Sequence, residues 1–431
     1  MTSVVETLSA PTEPACVPAT LRIGQLGLGN VGSALARLTA SAGERLHPHG
    51  VAPVTTVALV RSLSRPRPAA AWVGRVTDDP EVFFAQPLDL VVEVIGGVEP
   101  AHSFVRRALD RGIPVVTANK SLVAAHGETL SALARRRGTA LRYEASCIAG
   151  VPFLGTFERR PLASRVHGLT AILNGTSNAI LSAVAAGASF QEALDDAQRR
   201  GLAEPDPSAD VSGRDAAEKL TLLIRRFGQR LIDVDRLRTE GITALDSIDV
   251  RAARALGGAI KPVAHASWNT GALQAFVGPA FLSDAHPLAR VSGVTNGIVL
   301  DAPLGRQCYT GPGAGPDVTA VTLLDDLCEL AGERYVRTPA PIEAAPASPR
   351  WTLETPWFIR LSGNPPALDT SELLGTYGIW CRQLLSVEGR LYALTFPATP
   401  DRIKAGIDAV HAATGSWPLA LPALPAEDDA C

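Results

Sequence analysis

Between Leu21 and Leu38 an apolar strand runs directly into Gly27-Leu28-Gly29-Asn30-Val31-Gly32, and the helical pattern Ala34, Leu35, Leu38 follows at once. In a strand–GxGxxG–helix setting each glycine has a task. Gly27 permits the tight turn, Gly29 lets a pyrophosphate approach the backbone, and Gly32 lets helix pack closely on strand. The phosphate is then met by the unpaired N–H groups of a helix N-terminus. The same rhythm continues with strands at Val54–Val60, Leu88–Ile95, Pro114–Thr117 and Ala140–Ala145, and helices over Pro100–Asp110 and up to about Arg137. Continuously apolar strands alternating with helices indicate a parallel sheet covered on both faces. Residues 21–150 therefore read as an α/β Rossmann-type nucleotide-binding domain.

From Val151 the rhythm changes. Strand-like Val166–Leu173 leads into helices around Ala179–Ala186, Phe190–Arg200 and Gly213–Phe227, with further strands at Leu273–Val277 and Gly297–Leu300. This predicts an α+β catalytic and dimerisation domain over 151–310, whose open sheet pairs with a second subunit in a homodimer or homotetramer. Gly311-Pro312-Gly313-Ala314-Gly315 opens another helix, Val318–Leu330, so about 311–335 is expected to complete the first domain. A Pro/Ala-rich linker, 336–349, precedes residues 350–420, which read strand, helix, strand, strand, helix, as in a small ferredoxin-like module. Residues 1–20 and 421–431 read as tails.

Composition removes several classes of function. A chain of 431 residues exceeds the roughly 250–300 residues that one core usually serves, so several domains are expected. A net charge of -3 offers no field for nucleic acid. No apolar run reaches the ~18 residues of a membrane span. The first twenty residues carry Glu6 and Glu13 but no basic start of a signal peptide. The six cysteines form no CxxC pair and read as free thiols of a reducing, cytoplasmic compartment. His47-Pro48-His49 reads as loop, not as a metal site.

Several residues stand where chemistry is done. The second strand ends in Leu59-Val60-Arg61-Ser62; an arginine there suits a ribose 2′-phosphate, whereas an acid would hold the 2′-hydroxyl, so NADP(H) is favoured over NAD(H). Glu93-Val94-Ile95-Gly96-Gly97 and Thr117-Ala118-Asn119-Lys120 end strands at the edge where such sheets bind ligands. The densest cluster runs from Gly201 through Glu204, Asp206 and Asp210 to Asp215 and Lys219, the last two one turn apart on a helix face. Spacing leaves a plain alternative open: Ser212 and Asp215 fit a variant capping box, and Asp215–Lys219 an exposed ion pair.

Together these motifs resemble homoserine dehydrogenase over roughly Ile23–Leu330: GLGNVG, VVEVIGG, VVTANK, Glu144-Ala145-Ser146, ILNGTSN at Ile172–Asn178, GLAEPDPSADVSGRDAAEKL and GPGAG. The resemblance implies reduction of L-aspartate 4-semialdehyde to L-homoserine, on the route to threonine and methionine. It implies Lys219 as acid/base, Asp215 as its orienting partner and a substrate contact, and Lys120 between nicotinamide and substrate. Glu204, with Asp210 nearby, would receive the substrate ammonium, and Gly175 and Thr176 would line the pocket. Gly96, Gly201, Gly313 and Gly315 would touch the cofactor. A monovalent cation, sodium in the family, would use Glu144 and the backbone oxygens of Cys147, Ala149 and Val151. Hydride attack on an aldehyde makes an alkoxide, which needs nearby positive charge and a proton, and a lysine supplies both. The C-terminal module resembles an ACT-type domain, but its first loop, Ser362-Gly363-Asn364-Pro365-Pro366, lacks an acidic residue, so a weak response to threonine is expected. Two other readings stay open: a dehydrogenase for another amino acid semialdehyde, and an inactive nucleotide-binding regulator.

Overall fold

The computed structural model describes residues 19–46, 51–151, 165–269, 271–303, 305–313, 315–331, 347–361 and 367–424. Strands β1 (Ala19–Leu26), β2 (Val51–Leu59), β3 (Val76–Thr77), β4 (Leu90–Glu93), β5 (Val115–Thr117) and β6 (Leu141–Arg142) form one sheet in the order β3-β2-β1-β4-β5-β6. Every pairing in it is parallel, the doubly wound arrangement expected from the alternation. Helices Ala101–Asp110 and Lys120–Arg136 cover one face through Val105, Leu109, Leu122 and Leu130. Helix Asn30–Leu46 covers the other, and Pro316–Ala331 returns beside it, packing Ala320, Leu323 and Leu327 around Ile23 and Val92. The late segment thus completes the first domain. The last strand is shorter than the apolar run Ala140–Ala145 predicts: after Arg142 the chain turns, and Glu144–Cys147 is a single helical turn.

The second domain holds β7 (Gly168–Ile172), β8 (Arg238–Thr239), β9 (Gly258–Ser267), β10 (Gln274–Ser283), β11 (Thr295–Ala302) and β12 (Gly305–Pro312). Strand β9 hides in the sequence because it carries Lys261, Pro262 and His265. Pro262 falls directly opposite Pro279 of β10, so the two missing N–H groups face each other. The module beyond contributes β13 (Trp357–Leu361), β14 (Cys381–Val387), β15 (Arg390–Thr395) and β16 (Leu419–Leu424), in the ferredoxin-like order β16-β13-β15-β14.

One expectation for this half is corrected. Residues 421–424 are not tail but the end of β16, buried from Leu421 to Leu424. Pro422 hides the strand from a sequence reading; opposite it, Trp357 turns its own N–H to Thr395 Oγ1, at 2.9 Å. The edge of the catalytic sheet at β10 is taken by β16 of the same chain, through Phe281↔Ala423 and Leu282↔Leu424, and β12 stands at the sheet's other end. The end of the linker is pinned, since Ala347 N donates to Leu231 O at 2.7 Å, and just beyond it Ala275 N donates to Arg350 O at 2.8 Å and Arg350 N to Leu273 O at 2.9 Å. The loop Ser362–Pro366 and His47-Pro48-His49 lie outside the described residues.

One face of the module's sheet packs Phe358, Tyr392, Leu394 and Leu421 on Ile180, Leu181 and Val250 of the catalytic domain. Polar groups lock the same contact. Asp249, fully buried on helix Ser247–Ala255, accepts from Arg360 Nη1 at 2.7 Å and from Tyr392 Oη at 3.0 Å. Among the described residues no helix is long and apolar enough to cross a membrane.

Candidate active site

Asn119 and Asn174 each start a helix, their Oδ1 atoms accepting from Leu122 N at 3.1 Å and Ser177 N at 2.7 Å. These caps set Lys120 on the first turn after β5 and Gly175-Thr176 on the first turn after β7. Beneath Lys120, Glu93 is buried and ties the strand ends together: Thr117 Oγ1 donates to it at 2.5 Å and Ile95 N at 2.7 Å. Burial pushes its carboxyl up, and these donors pull it back.

Helix Arg214–Leu223 supplies the centre of the site. Its start is Gly213 in the left-handed conformation, φ 84°, and no side chain caps it. Ser212 and Asp215 therefore form no capping box, and Asp215 is no exposed partner either, being 9% exposed. Its Oδ2 meets Lys219 Nζ at 2.8 Å and accepts from Asn174 Nδ2 at 2.9 Å, while its Oδ1 accepts from Lys120 Nζ. Burial opposes the Asp215 charge, but Lys219 and Lys120 outweigh it and hold the carboxyl well below the usual carboxylate range. Burial likewise disfavours the Lys120 ammonium, and Asp215 with Glu218 (Oε2 at 3.4 Å) more than restores it, raising its pKa. Lys219 Nζ also donates to Leu173 O at 2.8 Å. An ammonium has three N–H groups, so these contacts leave at least one for a substrate oxygen.

Asp210 joins through Asn174, whose Nδ2 donates to it at 2.7 Å; burial, then Asp215, push its carboxyl up. Glu204 is not gathered in. It is exposed, and its backbone oxygen accepts from Gln198 Nε2 at 3.2 Å. The loop that carries it is tied to the site by Thr176 Oγ1, which donates to Leu202 O at 2.7 Å. Two further residues join the site through the fold: Asn174, which holds Asp210 and Asp215 together, and Glu218, the second carboxylate on Lys120. The signal for Glu218 is its i, i+3 spacing from Asp215.

A cleft of about 770 Å³ opens at the glycine turn, lined by Gly27, Leu28, Gly29, Asn30, Arg61, Arg65 and Arg67. Gly27 has φ 105°, and a Cβ on it would stand 2.8 Å from Val94 O; one on Gly32 would stand 2.3 Å from Gly27 O. A Cβ on Gly29 would meet nothing within 4 Å. That open space at a helix N-terminus fits a pyrophosphate. Val31 packs inward near Ile23 instead of lining the cleft. Gly96 (φ 79°), Gly201 (φ 69°) and Gly315 (φ 132°) all need the left-handed region, and none of them, nor Gly313, lines this cleft.

A doubly wound sheet with a phosphate-ready glycine turn, together with two lysines on one buried aspartate, defines a nicotinamide-nucleotide-dependent oxidoreductase. Residues 27–144 match the family model for the NAD-binding domain of homoserine dehydrogenase, and residues 152–328 the model for homoserine dehydrogenase. A homoserine dehydrogenase of Synechocystis sp. is 37% identical over 326 residues, 73% of this chain and 74% of that one. An NAD(+)-dependent homoserine dehydrogenase of Pseudomonas canavaninivorans is 39% identical, over 58% of this chain and 69% of its own. The crystal structure of a homoserine dehydrogenase from Thiobacillus denitrificans superposes with a TM-score of 0.84 at 30% identity, covering 95% of this chain and 99% of that one. The chain belongs to the homoserine dehydrogenase family.

Proposed function

We propose that the enzyme uses NADPH to reduce L-aspartate 4-semialdehyde to L-homoserine, reversibly, in the supply of threonine and methionine. The observation that carries this is the Lys120–Asp215–Lys219 cluster, two partly buried ammonium groups on one buried carboxylate, beside the helix starts that follow β5 and β7. When bound, the nicotinamide supplies the hydride. The chain's own part is to offset the charge that develops on the carbonyl oxygen and to deliver a proton from Lys219 Nζ, with Asp215 orienting the ammonium. NADPH oxidation with aspartate semialdehyde, run against a panel of other small aldehydes, tests the substrate. A faster turnover of another semialdehyde would transfer the assignment to that compound.

Glu204 receives the substrate ammonium in this reading, its exposed carboxylate becoming covered only when substrate arrives. Glu204→Gln should then raise KM for homoserine roughly 10–10²-fold, with cofactor affinity unchanged, since an ion–ion contact becomes neutral. An unaltered KM would leave Glu204 with a structural role alone.

NADP(H) is proposed over NAD(H) because Arg61 shares its end of the cleft with Arg65 and Arg67. Arg67 Nη1 donates to Ser62 O and Arg65 O, each at 2.8 Å, which holds this basic loop in shape. Arg61→Asp should lower the NADP-to-NAD preference by roughly ten-fold or more, through a lost charge-assisted contact and new repulsion. Wild-type preference for NAD would make Arg61 an ordinary surface residue.

A monovalent cation, sodium, is proposed at Glu144 with the backbone oxygens of Cys147, Ala149 and Val151. Oxygen donors suit a hard cation. Glu144 N donates to buried Asp326 at 3.2 Å, so two carboxyl groups share this turn. The module over 350–424 is proposed to be ACT-like on its strand order, and to serve assembly, since the catalytic domain already occupies one face of its sheet. A homodimer or homotetramer is proposed with it.

A further inference from the structure

Helices Lys120–Arg136 and Arg214–Leu223 belong to different domains, and each carries a lysine of the site. Away from the site a second contact joins them. Beyond Leu223 the catalytic helix widens into a π turn, Ile224–Gly228, from which Arg225 reaches the partner helix. Its Nε meets Glu128 Oε1 at 2.6 Å, its Nη1 donates to Val123 O at 3.2 Å, and its guanidinium lies 5.9 Å from the Tyr143 ring centre. The Arg225 side chain is only 11% exposed, so the charge pair is largely withdrawn from water.

Gly127 makes this seat possible. It lies in the middle of its helix, where glycine is unfavourable relative to alanine, and its backbone angles do not demand glycine. A Cβ on it would stand 2.4 Å from Arg225 Nη1. The helix forgoes a better helix former, and the guanidinium lies across bare backbone.

We propose that Arg225 is a positioning residue, fixing the register between the two helices and hence where Lys120 stands relative to Asp215 and Lys219. Two contacts set that register. One is Lys120 with Asp215 and Glu218; the other, Glu128 with Arg225, lies eight residues on, about 12 Å along the helix. With the first alone, the flexible lysine stem tolerates sliding and rolling of one helix on the other. The second removes that freedom and couples the nucleotide-binding domain to the reacting centre. The proposal rests on the reading of Lys120, Asp215 and Lys219 as that centre.

The experiment measures kcat, KM, NADPH binding by fluorescence titration, and thermal unfolding for Gly127→Ala, Arg225→Gln and Lys120→Ala, and for Arg225→Gln combined with Lys120→Ala. Gly127→Ala and Arg225→Gln should each lower kcat roughly 10–10²-fold, the scale of an ångström-sized misplacement, with NADPH binding little changed. Gly127→Ala should lower the unfolding temperature less than Arg225→Gln does, because alanine favours the helix and offsets part of the cost of the displaced guanidinium. Arg225 acts through Lys120, so Arg225→Gln should add no further loss of kcat in the Lys120→Ala background, whereas a merely structural role would give an additive loss. Wild-type kcat in Gly127→Ala, or additivity in the double variant, overturns the proposal. Lys219→Ala separates the two readings. If it turns over normally, the site assignment falls and takes this proposal with it; if it is inactive while Gly127→Ala is normal, only the positioning role falls.

Discussion

Lys219→Ala should lower turnover roughly 10²–10⁴-fold, the usual worth of a positioned acid or base, while NADP(H) binds as before. The structure separates the two effects. Lys219 touches Leu173 O and Asp215 and is not among the residues lining the cofactor cleft. Its removal does not strand the buried carboxylate, because Lys120 and Asn174 still hold Asp215. Loss of turnover would therefore report chemistry and not collapse of the site. Lys219→Arg refines the test. It restores the charge, but a guanidinium does not give up its proton near neutral pH, so this variant should stay well below wild type. Single-turnover hydride transfer and NADPH titration are the measurements, and near wild-type turnover in the alanine variant would remove Lys219 from the mechanism.

What the sequence reveals about this site depends on how local the cause is. The glycine turn is legible because three glycines within six residues each answer a local need, and the needs of Gly27 and Gly32 are met by atoms of neighbouring strands and of the turn itself. Asp215 and Lys219 are visible as a helix pair, yet spacing alone does not tell a buried pair from a solvated one. What decides it is Lys120, 95 residues away, reaching the same carboxylate. Asn174 is a helix cap by sequence, and only the fold shows its amide spanning Asp210 and Asp215. The catalytic sheet is legible in part. Strands β7, β10 and β11 have apolar cores, but β9 carries a lysine, two ring-constraining or ionisable interruptions in Pro262 and His265, and no alternation to betray it. Strand β16 was hidden by Pro422, and with it the junction that makes the C-terminal module continue the catalytic sheet.

That junction carries the largest stability effect expected. Asp249 is fully buried, and its charge is met by Arg360, 17% exposed, at 2.7 Å, with Tyr392 Oη as a further donor. Arg360→Met keeps the apolar stem but removes the nearer cation, leaving the buried carboxylate only the guanidinium of Arg390, 4.0 Å away and shared with Asp246. Breaking a buried pair from one side costs about 3–5 kcal/mol, far more than the pair contributes over an apolar replacement. Arg390 does not rescue it, since its Nη1 is held by Asp246 at 2.5 Å and stands 4.0 Å from Asp249. Asp249→Asn in the Arg360→Met background should recover most of the loss, because a neutral amide can keep the acceptor that Asp246 N uses at the helix start without stranding a charge. Denaturant unfolding followed by tryptophan fluorescence reads the effect, and Trp357, one of six tryptophans, lies on the same strand as Arg360 and is 1% exposed. A single variant as stable as wild type would show that the network does not hold the module in place. A double variant no better than the single would show that the lost stability came from packing around the Arg360 stem and not from the isolated charge.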